Sequence, residues 1–178
     1  MFMNYKKYFK EFCEKENLDI KLSSKMPSGY EEAFGTFDVL ENTLFFNEEK
    51  AKDMPEYEVL FYLFHELRHA CQYIHPEKFS EEIQKSRFYV ILYNGICYRL
   101  CEKEWKECII KESEEYLQSL YINLPYEKDA NTFAYIETRK ICGDSEQLKK
   151  LYSYWVPCCS FGIGDYKKIF DYIDKNCI

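Results

Sequence analysis

The chain has no long apolar run and no basic stripe. No segment approaches the length of about 18 consecutive apolar residues that a transmembrane helix needs, and the opening stretch MFMNYKKYFKEFCEKEN has no apolar core long enough for a secretory signal. The net charge of −7 is spread along the sequence without an acidic tail. We therefore expect no membrane partner and no nucleic-acid partner, because the sequence has no positive patch for either surface.

The chain also lacks the paired CxxC spacing of a structural zinc site, although it has nine cysteines. This odd number, together with the absence of a secretory signal, predicts a cytoplasmic protein whose thiols are reduced. Most of the cysteines are expected to be small buried hydrophobic residues. Two pairs, Cys97 with Cys101 and Cys158 with Cys159, are the alternative candidates for metal ligands.

What is present is typical of one globular α+β domain over residues 1–178. Hydrophobic residues make up 47% of the chain and aromatic residues 19%, enough to form a real core. Apolar residues at helical spacing predict helices over 4–16, 53–75, 112–122, 126–141, 145–154 and 165–175. Aromatic and β-branched runs predict a short strand at 18–22, two strands of a small antiparallel sheet within 30–47, and a hairpin within 87–110. The hairpin would turn at Asn94-Gly95 and continue into a third strand, Trp105 to Ile110.

All three histidines lie in FYLFHELRHACQYIH, residues 61–75. On an α-helix, His65 and His69 project from the same face one turn apart, so both rings can present a nitrogen to one ion. Glu66 is rotated by about 100° from His65, so it stays off the ion but can reach a water bound there, as a general base must. An apolar stripe on the opposite face of the helix predicts that this face packs against the protein core, while the histidine face forms the bottom of a cleft. The alternative is a buried helix whose histidines are only hydrogen-bonded.

A zinc site that performs chemistry normally has three protein ligands and one open position. His75 stands at the offset used by the metzincin signature HExxHxxGxxH, in which a glycine lets the chain leave the helix. Here Gln72 occupies the glycine position, so the helix continues and His75 would lie about 15 Å along the axis from His65. All four methionines precede the helix, so no Met-turn follows it. His75 is therefore predicted to be a helix-end residue whose charge suits the helix C-terminus.

A carboxylate from LPYEKDANTFAYIETRK, residues 124–140, is the best candidate for the third ligand. Glu127 begins a helical stripe that continues through Ala130, Asn131, Ala134 and Thr138. These small neighbours would let the helix approach the histidine helix closely. Asn131 could accept a hydrogen bond from the ring nitrogen of a ligand histidine that does not bind the metal. Asp129 points away from this stripe. Glu127 would serve equally as an ordinary acid at a helix N-terminus, and the spacing alone does not choose between the two roles.

The two motifs together resemble those of gluzincin-type zincin metallopeptidases, and most closely the ImmA/IrrE-like family of phage and mobile-element proteins in Gram-positive bacteria. The resemblance covers residues 30–140 and is carried by His65-Glu66-Leu67-Arg68-His69 and by Glu127-x-x-Ala130-Asn131-x-Phe133-Ala134. It implies a zincin-like fold, zinc bound by His65, His69 and Glu127, and Glu66 as the base. The chain departs from the family in its hairpin segment between the motifs and in having no obvious helix-turn-helix pattern.

The resemblance implies hydrolysis of peptide bonds in a protein or peptide substrate. Residues 35–39 or 44–46 could offer a strand edge to an extended peptide. Two alternatives stay open: a non-catalytic regulatory or protein-binding module on the same scaffold, and a hydrolase that acts on a small molecule with the same three ligands. Another first-row divalent metal is an alternative to zinc, and the sequence indicates no oligomeric state.

Overall fold

The structure is a computed structural model that describes residues 4–92, 94–157 and 161–177. Over these residues the chain forms helices and two three-stranded sheets, which confirms the predicted α+β class. The chain divides into two compact units: the first combines Met1–Lys78 with Asp129–Tyr154, and the second combines Phe79–Lys128 with Trp155–Ile178. The boundary between Lys128 and Asp129 falls inside one continuous helix. The single domain over 1–178 stays a prediction.

Each predicted helix is present, with ends that differ from the prediction by no more than three residues. The helices are α1 (Tyr5–Glu16), α2 (Glu48–Ala51), α3 (Glu56–Ile74), α4 (Glu81–Ser86), α5 (Glu114–Asn123), α6 (Pro125–Cys142), α7 (Glu146–Ser153) and α8 (Ile163–Asn176). The short helices α2 and α4 were not predicted, because one turn carries too little periodicity. Among the described residues, no helix is both long and apolar enough to cross a membrane.

The strands form one sheet in each unit. They are β1 (Lys21–Ser23), β2 (Gly35–Asp38), β3 (Thr43–Phe46), β4 (Tyr89–Ile91), β5 (Ile96–Cys101) and β6 (Glu104–Ile109). In the first unit the order is β1-β3-β2, with β1 parallel and β2 antiparallel to the central β3. The two strands predicted within 30–47 are therefore confirmed, and β2 is an edge strand among the described strands.

Helix α3 carries the histidine motif and is buried along most of its length. It packs against β2 and β3, and α1 and α7 pack against it. Its apolar side chains fill the core of the first unit: Val59, Leu60, Phe61, Leu63, Phe64, Leu67, Ala70 and Cys71. The helix begins after Pro55 without a side-chain cap, three residues later than predicted. Pro55 suits this position because it has no amide N–H to satisfy.

The second unit is built on the sheet β4-β5-β6. β4 pairs antiparallel with β5, and β5 pairs antiparallel with β6, which confirms the predicted hairpin and third strand. Gly95 has a φ of 88°, and a Cβ there would lie 2.5 Å from the backbone oxygen of Ile110. Only glycine meets both conditions without strain. Helix α5 packs against β4, and helix α8 packs against β5 and β6.

Three cysteines lie in the core of the second unit, as expected of small hydrophobic residues. Cys97, Cys108 and Cys177 are at most 8% exposed. Burial raises the pKa of the Cys97 and Cys177 thiols to about 12. At neutral pH these two side chains are therefore protonated thiols that pack as apolar groups.

Candidate metal centre

Helix α3 brings His65 and His69 together on one face. Their Nε2 atoms lie 3.0 Å apart, and the two rings are perpendicular. The separation of 3.0 Å is that of a hydrogen bond between the two rings. It is also close to the distance of about 3.3 Å between two ligand nitrogens in a tetrahedral site with Zn–N bonds of about 2.05 Å. Both side chains are only 8% exposed. The face that was expected to floor an open cleft is therefore almost covered.

Helix α6 supplies Glu127 from its first turn, just after Pro125 begins the helix. Ligand atoms of His65, His69 and Glu127 all lie within 4.8 Å of one another. A tetrahedral site needs about 3.3 to 3.5 Å between ligand atoms, so small side-chain rotations would close the group on an ion. Glu127 is 4% exposed, whereas an acid that served only the helix dipole would have no reason to leave water. Burial beside two imidazoles therefore favours the ligand role.

The small residues predicted on the Glu127 stripe are buried with it. Ala130, Ala134 and Thr138 have no exposed surface, and Asn131 is 2% exposed. Neither amide atom of Asn131 has a hydrogen-bond partner within the described part of the chain. The predicted hydrogen bond from the second ring nitrogen of a ligand histidine to Asn131 is therefore not formed.

Two imidazoles and one carboxylate suit zinc or another first-row divalent ion. Calcium and magnesium prefer oxygen ligands throughout, so the donor set disfavours both. Comparisons with known protein families, curated proteins and solved structures find no match. The candidate metal centre is therefore described by its geometry alone: it is a buried group of three side chains, on two helices, that could hold a metal ion.

The predicted pair Cys97 and Cys101 takes no part in this centre. Over residues 4–92, 94–157 and 161–177, no cysteine belongs to a group of three converging metal-binding side chains. Cys97 lies in the core of the second unit, and Cys101 accepts a hydrogen bond from Arg99. Cys158 and Cys159 lie outside the described residues.

Glu66, which follows the first histidine, lies beside the edge strand β2. A Cβ on Gly35 would lie 2.8 Å from Glu66 Cγ and 3.1 Å from the backbone oxygen of Phe45. The Glu66 side chain thus uses space that only a glycine leaves open. Burial raises the pKa of the Tyr30 phenol, and the negative charges of Asp38 and Glu66 raise it further. The carboxyl group of Glu66 therefore lies where β2 meets the histidine helix.

His75 lies outside the metal centre, at the end of α3. Its Nε2 is 3.1 Å from the carbonyl oxygen of Glu16 and 3.3 Å from that of Asn17, so it donates to the C-terminal end of α1. The prediction that His75 is a helix-end residue is confirmed. Its ring donates to the terminal carbonyls of α1 and not to those of α3, because the two helices pack side by side.

A chain of hydrogen bonds connects His69 to helix α6. His69 Nδ1 lies 2.9 Å from Gln72 Oε1, and Gln72 Nε2 donates to Asp129 Oδ2 at 2.9 Å. Arg68 donates to both oxygens of Asp129, at 2.7 and 3.0 Å. The Arg68 guanidinium also lies over the ring of Phe133, 4.5 Å from its centroid. A predicted ligand is thus the first member of a polar network between α3 and α6.

The sequence arguments did not assign Gln72 or Asp129 to the site, and they included Gly35 only as the first residue of a possible strand edge. For Gln72 a signal existed, because a residue three positions after His69 lies on the same side of a helix. Asp129 points away from the Glu127 stripe as predicted, but this direction leads it to Gln72. Gly35 had no local signal, because the side chain it accommodates belongs to a distant part of the sequence.

Proposed function

We propose that the chain is a zinc-dependent peptidase of the zincin type. In this proposal His65, His69 and Glu127 bind zinc, and Glu66 is the general base. The observation that carries the proposal is the convergence of the three buried side chains. Glu66 directly follows His65 in the sequence, and its side chain lies beside an edge strand. The resemblance of both motifs to the ImmA/IrrE-like family supports the same roles.

The two neutral histidines and one glutamate would leave a bound zinc ion with a net positive charge, which hydrolysis of a peptide bond requires. Bound zinc would polarise the scissile carbonyl and lower the pKa of a coordinated water to about 7. His65 and His69 would bind the ion as neutral imidazoles and Glu127 as a carboxylate with one negative charge, so the centre would keep a net positive charge. Glu66 would accept the proton of the attacking water and deliver it to the leaving amine.

Strand β2 supports an extended peptide as the substrate. Asn47 N donates to Phe34 O across the β2–β3 pair, and hydrogen-bonded pairs alternate along an antiparallel ladder. The peptide groups of Gly35 and Phe37 therefore face away from β3, towards the edge that an added strand would use. Gly35 is also the residue that adjoins Glu66. The alternative prediction, that residues 44–46 offer the strand edge, is wrong because β3 is paired with β1 on one side and with β2 on the other.

Replacing Gly35 with alanine is expected to lower the hydrolysis rate by about 100-fold while zinc binding is retained. The new Cβ would lie 2.8 Å from Glu66 Cγ, and moving a catalytic group by about 1 Å can reduce a rate by this factor. The measurements are the rate on a cleaved peptide and the zinc content. Gly164→Ala is the control, because a Cβ there meets nothing within 4 Å. A Gly35→Ala protein with the wild-type rate would show that Glu66 does not need this space.

The second candidate is a non-catalytic metal-binding module. The observation that favours it is the low exposure of the three ligand side chains, between 4% and 8%, since a catalytic ion needs one position open to water and substrate. In the peptidase proposal, water and substrate reach the open position of the ion from the side of Glu66. This side chain is half-buried, whereas the three ligand side chains are buried.

The direct test is hydrolysis of an unbiased peptide library, with the products read by mass spectrometry. Protein stripped of metal is expected to leave the library intact, and the same protein reloaded with one equivalent of zinc is expected to cleave amide bonds. Zinc binding without cleavage of any peptide would favour the non-catalytic module. A protein that binds no first-row metal would refute both proposals.

A further inference from the structure

We propose that Gln72 and Asp129 are positioning residues that hold His69 in its Nδ1–H tautomer before a metal binds. This leaves the Nε2 lone pair of His69 directed into the metal centre. The inference rests on the metal-binding part of the proposed function and does not require catalysis.

The first step starts from the carboxylate of Asp129. Both of its oxygens accept hydrogen bonds from Arg68, and a carboxylate paired in this way with a guanidinium can only accept. The side-chain atom of Gln72 that lies 2.9 Å from Asp129 Oδ2 must then be the amide nitrogen. The ion pair thereby determines which way the Gln72 amide points.

The second step follows from the orientation of that amide. With its nitrogen on Asp129, Gln72 presents its oxygen to His69 Nδ1 at 2.9 Å. An amide oxygen can only accept, so His69 Nδ1 must carry the proton. A neutral imidazole has one ring proton, and His69 Nε2 is therefore the nitrogen with the lone pair. That atom lies 3.0 Å from His65 Nε2, inside the predicted ligand group.

The same ion pair also acts on the third predicted ligand. Asp129 stands two residues after Glu127 on α6, so its two hydrogen bonds to Arg68 hold this turn of α6 against α3. Arg68 and Asp129 are 25% and 21% exposed, which shields the pair partly from solvent. One network thus orients a ligand histidine and anchors the helix that bears the ligand glutamate.

Nuclear magnetic resonance of the imidazole nitrogens in metal-free protein tests the tautomer directly. The chain has three histidines, so His75→Ala and His65→Ala variants assign the three rings. Zinc affinity is measured on the same proteins by chelator competition. Loss of an outer hydrogen-bond partner of a metal-binding histidine typically lowers metal affinity by about 10- to 100-fold.

Three variants separate positioning from a purely structural role. Gln72→Leu removes the acceptor at similar volume, and the double variant Gln72→Glu with Asp129→Asn exchanges the acid and the amide. In the double variant the new carboxylate accepts from His69 Nδ1 and from the new amide nitrogen, which takes the place of Asp129 Oδ2. The new amide oxygen takes the place of Oδ1 and accepts from Arg68 Nη2, while the hydrogen bond from Arg68 Nε to Oδ2 is lost. Asp174→Asn is the control, because Asp174 pairs with Arg99 in the second unit. Thermal unfolding of each variant checks that it is folded.

Wild-type protein is expected to show His69 protonated at Nδ1. Gln72→Leu should move the proton to Nε2 and weaken zinc binding by about 10- to 100-fold, the double variant should restore both properties, and Asp174→Asn should change neither. A wild-type His69 protonated at Nε2 would overturn the proposal. So would a folded double variant that binds zinc no better than Gln72→Leu. If wild-type protein binds no zinc, the proposed function fails, while the tautomer in metal-free protein still decides the role of the network.

Discussion

Replacing Glu127 with alanine is expected to abolish stoichiometric zinc binding, whereas replacing His75 with alanine leaves zinc binding intact. Glu127 contributes an oxygen to the buried ligand group, and its loss would leave two histidines as the protein ligands. Loss of an outer hydrogen-bond partner of a ligand lowers metal affinity by about 10- to 100-fold. Removal of a direct ligand should weaken zinc binding by more than this. His75 hydrogen-bonds to the end of α1 and takes no part in the group.

Zinc content is measured by mass spectrometry of protein purified without chelator or affinity metal. Wild-type and His75→Ala proteins should each carry about one zinc per chain. Glu137→Ala is the matched control, because Glu137 lies on the same helix but pairs with Lys140 and does not belong to the ligand group. If His75→Ala loses the metal and Glu127→Ala retains it, the ligand assignment is wrong and the proposed mechanism is wrong with it.

Replacing Glu66 with glutamine is expected to lower peptide hydrolysis by about 10²- to 10⁴-fold, the usual contribution of a general base. Glutamine has nearly the same shape, but its amide cannot accept the proton of the attacking water. Zinc content should stay at the wild-type value, because Glu66 is not one of the three converging ligands. The measurement pairs the hydrolysis rate with the zinc content of the same preparation.

Glu56→Gln is the control for this charge change. Glu56 lies on the same helix as Glu66, is exposed, and stands in the first turn of α3, away from the histidines. It should hydrolyse peptides at the wild-type rate. Unchanged hydrolysis by Glu66→Gln would show that another group takes the proton. Loss of zinc from this variant would make Glu66 a ligand or a support of the ligands instead.

Much of the fold follows from short-range patterns. The helical spacing of apolar residues located α3 and α6 to within three residues, and the Asn94-Gly95 turn located the hairpin of the second unit. These features depend on residues a few positions apart, whose preferences are expressed locally. The parallel pairing of β1 with β3 was not predicted, since the partner of a short strand depends on contacts between distant segments.

The predicted site shows the same division. His65 and His69 share a helical face because they are four residues apart, and this spacing by itself determines that both can reach one ion. The choice of Glu127 needed a second helix. The sequence placed Glu127 on the stripe with small residues, but only the packing of α6 beside α3 shows that its carboxylate is buried with the two imidazoles.

The sequence by itself determined the longer helices, the helical face that His65 and His69 share and the helix that bears Glu127, because helical periodicity and side-chain chemistry are local properties. Only the tertiary structure decided that Gln72, rather than Asn131, contacts His69, and that Gly35 makes room for Glu66. The physical reason is that hydrogen bonds and close approaches between elements depend on how those elements rotate and slide against each other. That arrangement is set by the packing of the whole core, which no single segment specifies.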